Sequence, residues 1–253
     1  MRGDAPLLTA AWRHLAFLNY EVDPGVLLPR VPAGTGLDTW HGHALVSLIG
    51  LRFLDLRVLG RSVPAHRDFD QINLRFYVHC QAGSGEWRRG VVFVREIVPK
   101  RAVTAVARLW YGEPYARLPT RHLLDGHAVA ARTPFGVRYE WKQGGRWHGL
   151  RATAGAVPAN FGHGSLEEFI TERGWGFNRR GRTTFEFRVE HPPWQIRPLS
   201  DAHLAGDAAP LFGPALAEAL ARSPHSAFLA EGSAVSVFRP AVLPPDRFPG
   251  AAA

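Results

Sequence analysis

Two pairs of charged residues in the middle of the chain are the part of the sequence best suited to chemistry. Arg95 and Glu96 follow the apolar run Val91–Val94, and Lys100 and Arg101 come shortly after them. A carboxylate beside a cavity can move a proton, and an amine whose pKa is lowered by burial and a neighbouring cation can act as a nucleophile. Glu96 and Lys100 are therefore the candidate catalytic residues. An ion pair at a rim and a solvated lysine at a helix start are the alternatives.

Several other residues could bind an anion or a carbonyl group. Arginine presents a planar fork that binds a carboxylate through two hydrogen bonds. Arg75 lies on the polar side of an alternating strand, and this side faces either solvent or the inside of a closed sheet. A tyrosine offers a hydroxyl, although its ring also serves packing. The candidate substrate-binding residues are Arg13, Arg75, Arg95, Arg101 and Tyr115.

The segment around the charged pairs is predicted to run from a strand into a helix. Val91–Val94 is a continuous run of β-branched and aromatic residues, which is typical of a buried strand. Pro99 ends the strand because it has no N–H to donate. Apolar residues spaced three and four apart from Val103 to Trp110 predict a helix, which Gly112 ends. The two charged pairs would then lie at a strand-to-helix junction.

The rest of the chain is dominated by short strand patterns. Residues alternate between apolar and polar from Ile72 to Cys80 and again from Phe185 to Glu190. Gly144 and Gly145 form the turn of a second hairpin. Asp23 and Ser165 are predicted helix N-caps, the latter in a capping box. Roughly ten strands with about three or four short helices favour one closed or nearly closed antiparallel sheet.

Composition limits the class of protein. A chain of 253 residues that is 46% hydrophobic can bury a large core. The lack of a long apolar run and of a secretory signal pattern, together with the single Cys80, predicts a cytoplasmic protein without a membrane partner. His41 and His43 could share a strand face, but no third ligand is visible nearby, so no metal site is expected, and no cofactor motif occurs.

The net charge of +8 does not by itself indicate a nucleic-acid partner. Nucleic-acid binding needs basic residues concentrated on one element with aromatic residues between them. The segment 179–182 is the one such cluster, and a solvated hairpin turn accounts for it, with an anion contact as the alternative. The predicted partner is a small molecule, and homo-oligomer formation is left open.

Several short motifs follow one another over about residues 10–240. They are the Trp12–Tyr20 strand followed by Asp23-Pro24, the Thr39–Gly42 segment, the strand-proline-helix unit around Pro99, Gly112–Tyr115, the capping box Gly164–Phe169 and His191–Trp194. Taken in this order, they resemble the YqjF-like family of unknown function.

The resemblance implies the acetoacetate-decarboxylase-like fold, a cone-shaped antiparallel β-barrel with an internal cavity and peripheral helices, here as a single domain over 1–253. That superfamily contains an enzyme whose lysine forms an imine with a β-keto acid. Lys100 matches that lysine, Arg101 its cationic neighbour, and Arg13 could match its carboxylate-binding arginine. The enzyme has an acidic residue in its second strand, where this chain has the apolar run Ala44–Ile49.

Three hypotheses for function follow. The first is a β-barrel that binds a small anionic or carbonyl-bearing molecule in its central cavity, with Arg13, Arg75 and Arg95 as carboxylate contacts. The second is a Schiff-base decarboxylase or lyase, in which Lys100 forms the imine and Glu96 moves the proton. The third is a non-catalytic oligomer whose barrel is filled with its own side chains.

Overall fold

A computed structural model describes residues 5–62, 67–82, 85–99, 115–124, 133–155 and 157–243. The described residues are mainly β, and their strands join in one large sheet. The strands are β1 Leu8–Val22, β2 Gly36–Leu37, β3 Ala44–Val58, β4 Arg61–Ser62, β5 Phe69–Gln81, β6 Trp87–Val98, β7 Tyr115–Arg117, β8 Thr120–Leu124, β9 Phe135–Gln143, β10 Arg146–Ala154, β11 Trp175–Arg180, β12 Thr183–Glu190, β13 Ile196–Ala205, β14 Ser226–Ala230, β15 Ala234–Val237 and β16 Ala241–Val242. The helices are α1 Pro24–Leu27, a 3₁₀-helix Leu28–Arg30, α2 Leu166–Thr171, α3 Ala209–Phe212 and α4 Pro214–Leu220.

The strands pair in the order β4-β3-β5-β6-β11-β12-β15-β1-β14-β13-β10-β9-β8, and β1 also pairs with β3. Most pairings are antiparallel, as the sequence predicts. The pairings of β6 with β7 and with β11 are parallel, which the sequence pattern did not indicate. Strand β1 is central to this arrangement because it pairs with β3, β14 and β15.

The alternating strand β5 separates two packed layers. Its apolar side chains Ile72, Leu74 and Phe76 belong to a core that β9 covers with Val137 and Tyr139. The opposite face of β5 carries the polar residues of the alternation. Most residues on both faces of β5 are buried. The polar face borders an internal space that β1, β3 and β6 also border.

Local signals set the ends of the short helices. Asp23 precedes α1, its side chain accepts a hydrogen bond of 2.7 Å from the Gly25 N–H, and Pro24 takes the first helical position. Ser165 caps α2 by accepting from the Glu168 N–H at 3.2 Å. Both caps match the sequence prediction, because a cap depends only on neighbouring residues.

The junction around Pro99 differs from the prediction in one respect. Arg95 and Glu96 do not follow the strand: they lie inside β6, which continues to Val98. The predicted helix from Val103 to Trp110 lies outside the described residues. No helix among the described residues has both the length and the apolar character needed to span a membrane.

Candidate functional site

Seven strands border a cavity of about 130 Å³. They are β1, β3, β5, β6, β11, β12 and β15, joined by Tyr115 of β7, by the last residue of α2 and by the segments that follow α2 and β12. Most of the lining is apolar. The polar lining residues are Gln71, Asn73, Arg75, Glu96, Tyr115, Thr171, Arg173 and His191.

Bulges in three of these strands determine which side chains reach the cavity. The register of β6 against β5 shifts so that Leu74 faces Arg95 while Arg75 faces Phe93, which leaves one extra residue in β6. In a regular strand, Phe93 and Arg95 would share a face. After the bulge it is Glu96 that lines the cavity with Phe93, because the extra residue inverts the alternation.

The same inversion occurs in β1 and β3. A register shift between Arg13 and Ala16 adds a residue to β1, and His14 there has a positive φ of 51°. Trp12 lines the cavity, and the next lining residue of β1 is Leu15. In β3, Asp55 has a positive φ of 51°, and the lining residues on either side of it are Phe53 and Leu56.

Glu96 is a buried carboxylate in the wall of the cavity, with 2% of the residue exposed. Its Oε2 accepts a hydrogen bond from Nε2 of Gln71, which is also buried and lies on β5. Asn73 is paired with Glu96 across the two strands and is 5% exposed. These three side chains form a polar patch on adjacent strands that can hold a substrate oxygen or a proton.

Arg75 adds a cation next to this patch. Its Nη2 donates to the carbonyl of Ile170 in α2 at 2.9 Å, and its guanidinium carbon lies 5.5 Å from the centre of the Phe17 ring. Its Nε is buried and makes no hydrogen bond. Among the described residues, no carboxylate lies within ion-pairing distance of Arg75. Its charge is therefore available to a ligand.

Arg173 is a second cavity arginine, but its charge is already balanced. Its Nη1 donates to Asp38 Oδ2 at 2.5 Å, and Asp38 also accepts from Arg89 at 3.0 Å. Burial lowers the pKa of Arg173 to about 10, against the opposing effect of Asp38. Its Nη2 is buried and has no hydrogen-bond partner among the described residues.

His191 and two tryptophans form an aromatic group beside Arg75. The His191 ring stacks on Trp194 at 4.1 Å, and Trp12 lies 6.4 Å from both rings. Burial lowers the pKa of His191, and the positive charge of Arg75 lowers it further. His191 is therefore neutral at pH 7. Its Nδ1 donates to the Pro192 carbonyl at 3.0 Å, which leaves Nε2 as an acceptor.

The predicted site residues fall into three groups. Glu96, Arg75 and Tyr115 line the cavity. Arg13 and Arg95 are not among its lining residues: Arg13 donates to the Gly232 carbonyl at 2.7 Å, and the bulge in β6 places Glu96 rather than Arg95 in the lining. Lys100 and Arg101 lie outside the described residues.

Sequence patterns alone missed several lining residues. Gln71 continues the alternation of Asn73 and Arg75 toward the start of β5, so a longer window would have included it. Nothing in the sequence indicates Arg173, which reaches the cavity from the segment after α2. Nothing in the sequence indicates either that His191 lines the cavity, which it reaches from the segment after β12.

Comparisons with known proteins agree with this fold. The structure is similar to acetoacetate decarboxylase from Legionella pneumophila, with a TM-score of 0.66 at 13% identity, over 95% of this chain and 88% of the other. It is also similar to an acetoacetate decarboxylase-like enzyme from Sphingomonas wittichii RW1, with a TM-score of 0.63 at 15% identity, over 95% and 93%.

A third similar structure is the enduracididine biosynthesis enzyme MppR, solved with the condensation product of pyruvate and imidazole 4-carboxaldehyde. Its TM-score is 0.64 at 12% identity, over 96% of this chain and 91% of that one. At these identities the likenesses show a shared fold, the acetoacetate-decarboxylase-like fold, and nothing about activity.

The sequence itself matches an uncharacterized group. It is 23% identical over 207 residues to the uncharacterized protein YqjF of Bacillus subtilis (strain 168), which covers 78% of this chain and 81% of YqjF. The model of the DUF2071 family, described as an uncharacterized conserved protein, matches residues 9–234. Because that match covers most of the chain, this protein belongs to the DUF2071 family.

Proposed function

We propose that this protein is a closed, cone-like β-barrel that binds a small anionic or carbonyl-bearing molecule in its central cavity. The pairings support closure, since β1 pairs with β3 and the series β3-β5-β6-β11-β12-β15 returns to β1. Each of these strands also contributes a side chain to the cavity. A cytoplasmic location is part of the proposal and suits a chain with one cysteine.

One observation carries the proposal: Arg75 is a cavity cation without a carboxylate partner among the described residues. Arg75 is partly buried, and a charged group partly removed from water is costly unless a counter-charge or hydrogen bonds compensate it. A ligand carboxylate would supply both. Asn73 is 5% exposed, and its Oδ1 atom is buried and accepts no hydrogen bond from the described residues. A bound molecule with a hydroxyl or an ammonium group near its carboxylate could use this acceptor.

Binding measurements on one variant test the proposal. We expect pyruvate and acetoacetate to bind, and Arg75→Gln to weaken both by about tenfold or more, because a hydrogen-bonded charge is lost. Isothermal titration calorimetry measures the affinities. Arg222→Gln is the control, since this exposed arginine follows α4 and its one ion pair among the described residues is with Glu218. Unchanged affinity in Arg75→Gln, or no binding to the wild type by these two acids or by any larger carboxylate, would contradict the proposal.

A lysine-dependent lyase is the second candidate, favoured by the fold and by Glu96. Glu96 is buried in the cavity wall, four residues before Lys100 in the chain. In this reaction the Lys100 amine condenses with the ketone of a β-keto acid and releases water. Loss of carbon dioxide then leaves an enamine, which Glu96 protonates at carbon, and water releases the ketone product.

Trapping of the imine tests this second candidate. The chain has two lysines, Lys100 and Lys142, and Lys142 is exposed on β9. Incubation with acetoacetate and borohydride should reduce an imine on Lys100, as shown by intact mass and peptide mapping. Lys142→Arg should trap as much as the wild type, and Lys100→Arg should trap none. An adduct that persists in Lys100→Arg would reject the lyase.

The third hypothesis receives less support. A cavity of this volume argues against a barrel filled by its own side chains. Homo-oligomer formation remains a prediction.

A further inference from the structure

The cavity has two unlike ends. At one end, adjacent strands place Gln71, Asn73 and Arg75 beside Glu96. At the other end, the lining is entirely apolar. It consists of Leu8 of β1, Leu56 and Val58 of β3, Phe187 and Val189 of β12, and Val237 of β15.

An aromatic group lies between the two ends. Strand register sets Trp12 opposite Phe53 and Phe53 opposite Phe69. Phe53 and Phe69 stack at 4.8 Å, and Trp12 meets Phe53 edge-on at 5.7 Å. The three rings make an apolar surface across β1, β3 and β5, on the cavity side of the wall. Such a surface suits a flat or flexible apolar group, because ring faces and edges contact it well.

The distance from the polar end to the aromatic group excludes the smallest acids as complete occupants. Asn73 and Phe69 are four residues apart on β5, which corresponds to about 13 Å along the strand. A two- or three-carbon acid held at Arg75 would leave the aromatic rings and the apolar end in contact with water. The cavity volume of about 130 Å³ is close to that of an apolar cavity known to hold one benzene molecule.

We propose that the ligand is a carboxylate with an apolar tail of about the size of a phenyl ring or a six-carbon chain. The carboxylate contacts Arg75, and the tail lies on Trp12, Phe53 and Phe69 and extends toward the apolar end at Val189. This inference rests on the proposed function, since it assumes that the cavity binds an anion. It adds that the tail determines specificity.

A series of ligands tests anion binding at Arg75 separately from recognition of the apolar tail. Isothermal titration calorimetry on the full chain compares acetate, butanoate, hexanoate and hydrocinnamate, with hydrocinnamyl alcohol as the uncharged analogue. We expect hydrocinnamate and hexanoate to bind at least about tenfold more tightly than acetate, because each methylene buried in an apolar pocket adds to affinity. The alcohol should bind about tenfold more weakly than hydrocinnamate, because it lacks the negatively charged carboxylate that pairs with Arg75.

One variant tests the position of the tail. Val189→Phe adds a ring to the apolar end, away from Arg75, and should weaken hydrocinnamate about tenfold while butanoate keeps its affinity. If this variant does not fold, the ligand series with the wild type decides alone.

The possible failures are distinct. Equal affinity for acetate and hydrocinnamate would overturn the inference about the tail and leave anion binding intact. Equal affinity for hydrocinnamate and its alcohol would overturn the role of the carboxylate. No binding by any acid of the series, together with none by pyruvate, would overturn both the inference and the proposed function.

Discussion

Asp38 pairs with two arginines that differ in their surroundings. The side chain of Arg173 is 2% exposed, whereas that of Arg89 is about half exposed. Burial raises the pKa of Asp38, but the hydrogen bonds and charges of Arg89 and Arg173 outweigh it, so the pKa lies below its ordinary value. Removal of the carboxylate would leave Arg173 buried without a counter-ion, whereas removal of Arg173 leaves Asp38 with Arg89.

We therefore expect Asp38→Asn to lower the free energy of unfolding by about 3–5 kcal/mol, the cost of an uncompensated buried charge. Arg173→Met should cost clearly less. The double variant should be more stable than Asp38→Asn alone. Urea unfolding followed by tryptophan fluorescence measures all three. Equal losses in the two single variants would show that the Asp38–Arg173 pair is not the buried interaction described here.

The same pair gives a dependence on pH with a defined sign. A carboxylate with a lowered folded-state pKa stabilises the protein above its ordinary pKa of about 3.9, and this contribution is lost as the pH falls through the lowered value. Wild type should therefore lose more stability than Asp38→Asn between pH 5 and the acid limit of the folded state, by the same urea measurement.

At the scale of strands, the outer layer, which contains β9, contacts one of the bulges that shape the cavity. Tyr139 of β9 packs against Gly50 of β3, and its hydroxyl donates to the carbonyl of His14 at 2.8 Å. His14 is the residue with positive φ in the bulge of β1. The outer layer thus contacts the bulge that lets Trp12 and Leu15 both line the cavity.

A pair of glycine substitutions tests this packing. A Cβ at Gly50 of β3 would clash with Cβ and Cγ of Tyr139, whereas a Cβ at Gly136 of β9, the strand that carries Tyr139, meets nothing within 4 Å. Gly50→Ala should cost about 1–3 kcal/mol through overpacking. Gly136→Ala should be neutral or stabilising, by up to about 1 kcal/mol. Thermal unfolding measures both, and a neutral Gly50→Ala would mean that Tyr139 is not tightly packed.

At the scale of the whole molecule, long-range pairing determines where the polar residues meet. Arg75 lies 95 positions before Ile170, yet its guanidinium binds that carbonyl at 2.9 Å. Asp38 and Arg173 are 135 positions apart. The strands that border the cavity come from both halves of the chain, from β1 to β15. A cavity of this kind exists only when the whole sheet has formed, so binding and global stability should be closely linked.

Local sequence signals determined much of the architecture. The alternation from Ile72 to Cys80, the glycine pair at Gly144 and Gly145 and the caps at Asp23 and Ser165 each predict an element that the structure contains. These signals depend on neighbouring residues, through side-chain period, allowed φ values or a local hydrogen bond. The family resemblance extended the prediction to the fold.

The tertiary structure alone decided which side chains meet in the cavity. Alternation shows that β5 has two faces, but not which is internal, and here both faces are buried. Because of the bulge in β6, Glu96 rather than Arg95 lines the cavity. The alternation of apolar and polar residues in the sequence does not reveal where such a register shift occurs. Arg173 reaches the site through folding across the sheet. These side chains meet because strands far apart in the chain pair with each other, and local sequence patterns do not show which distant strands pair.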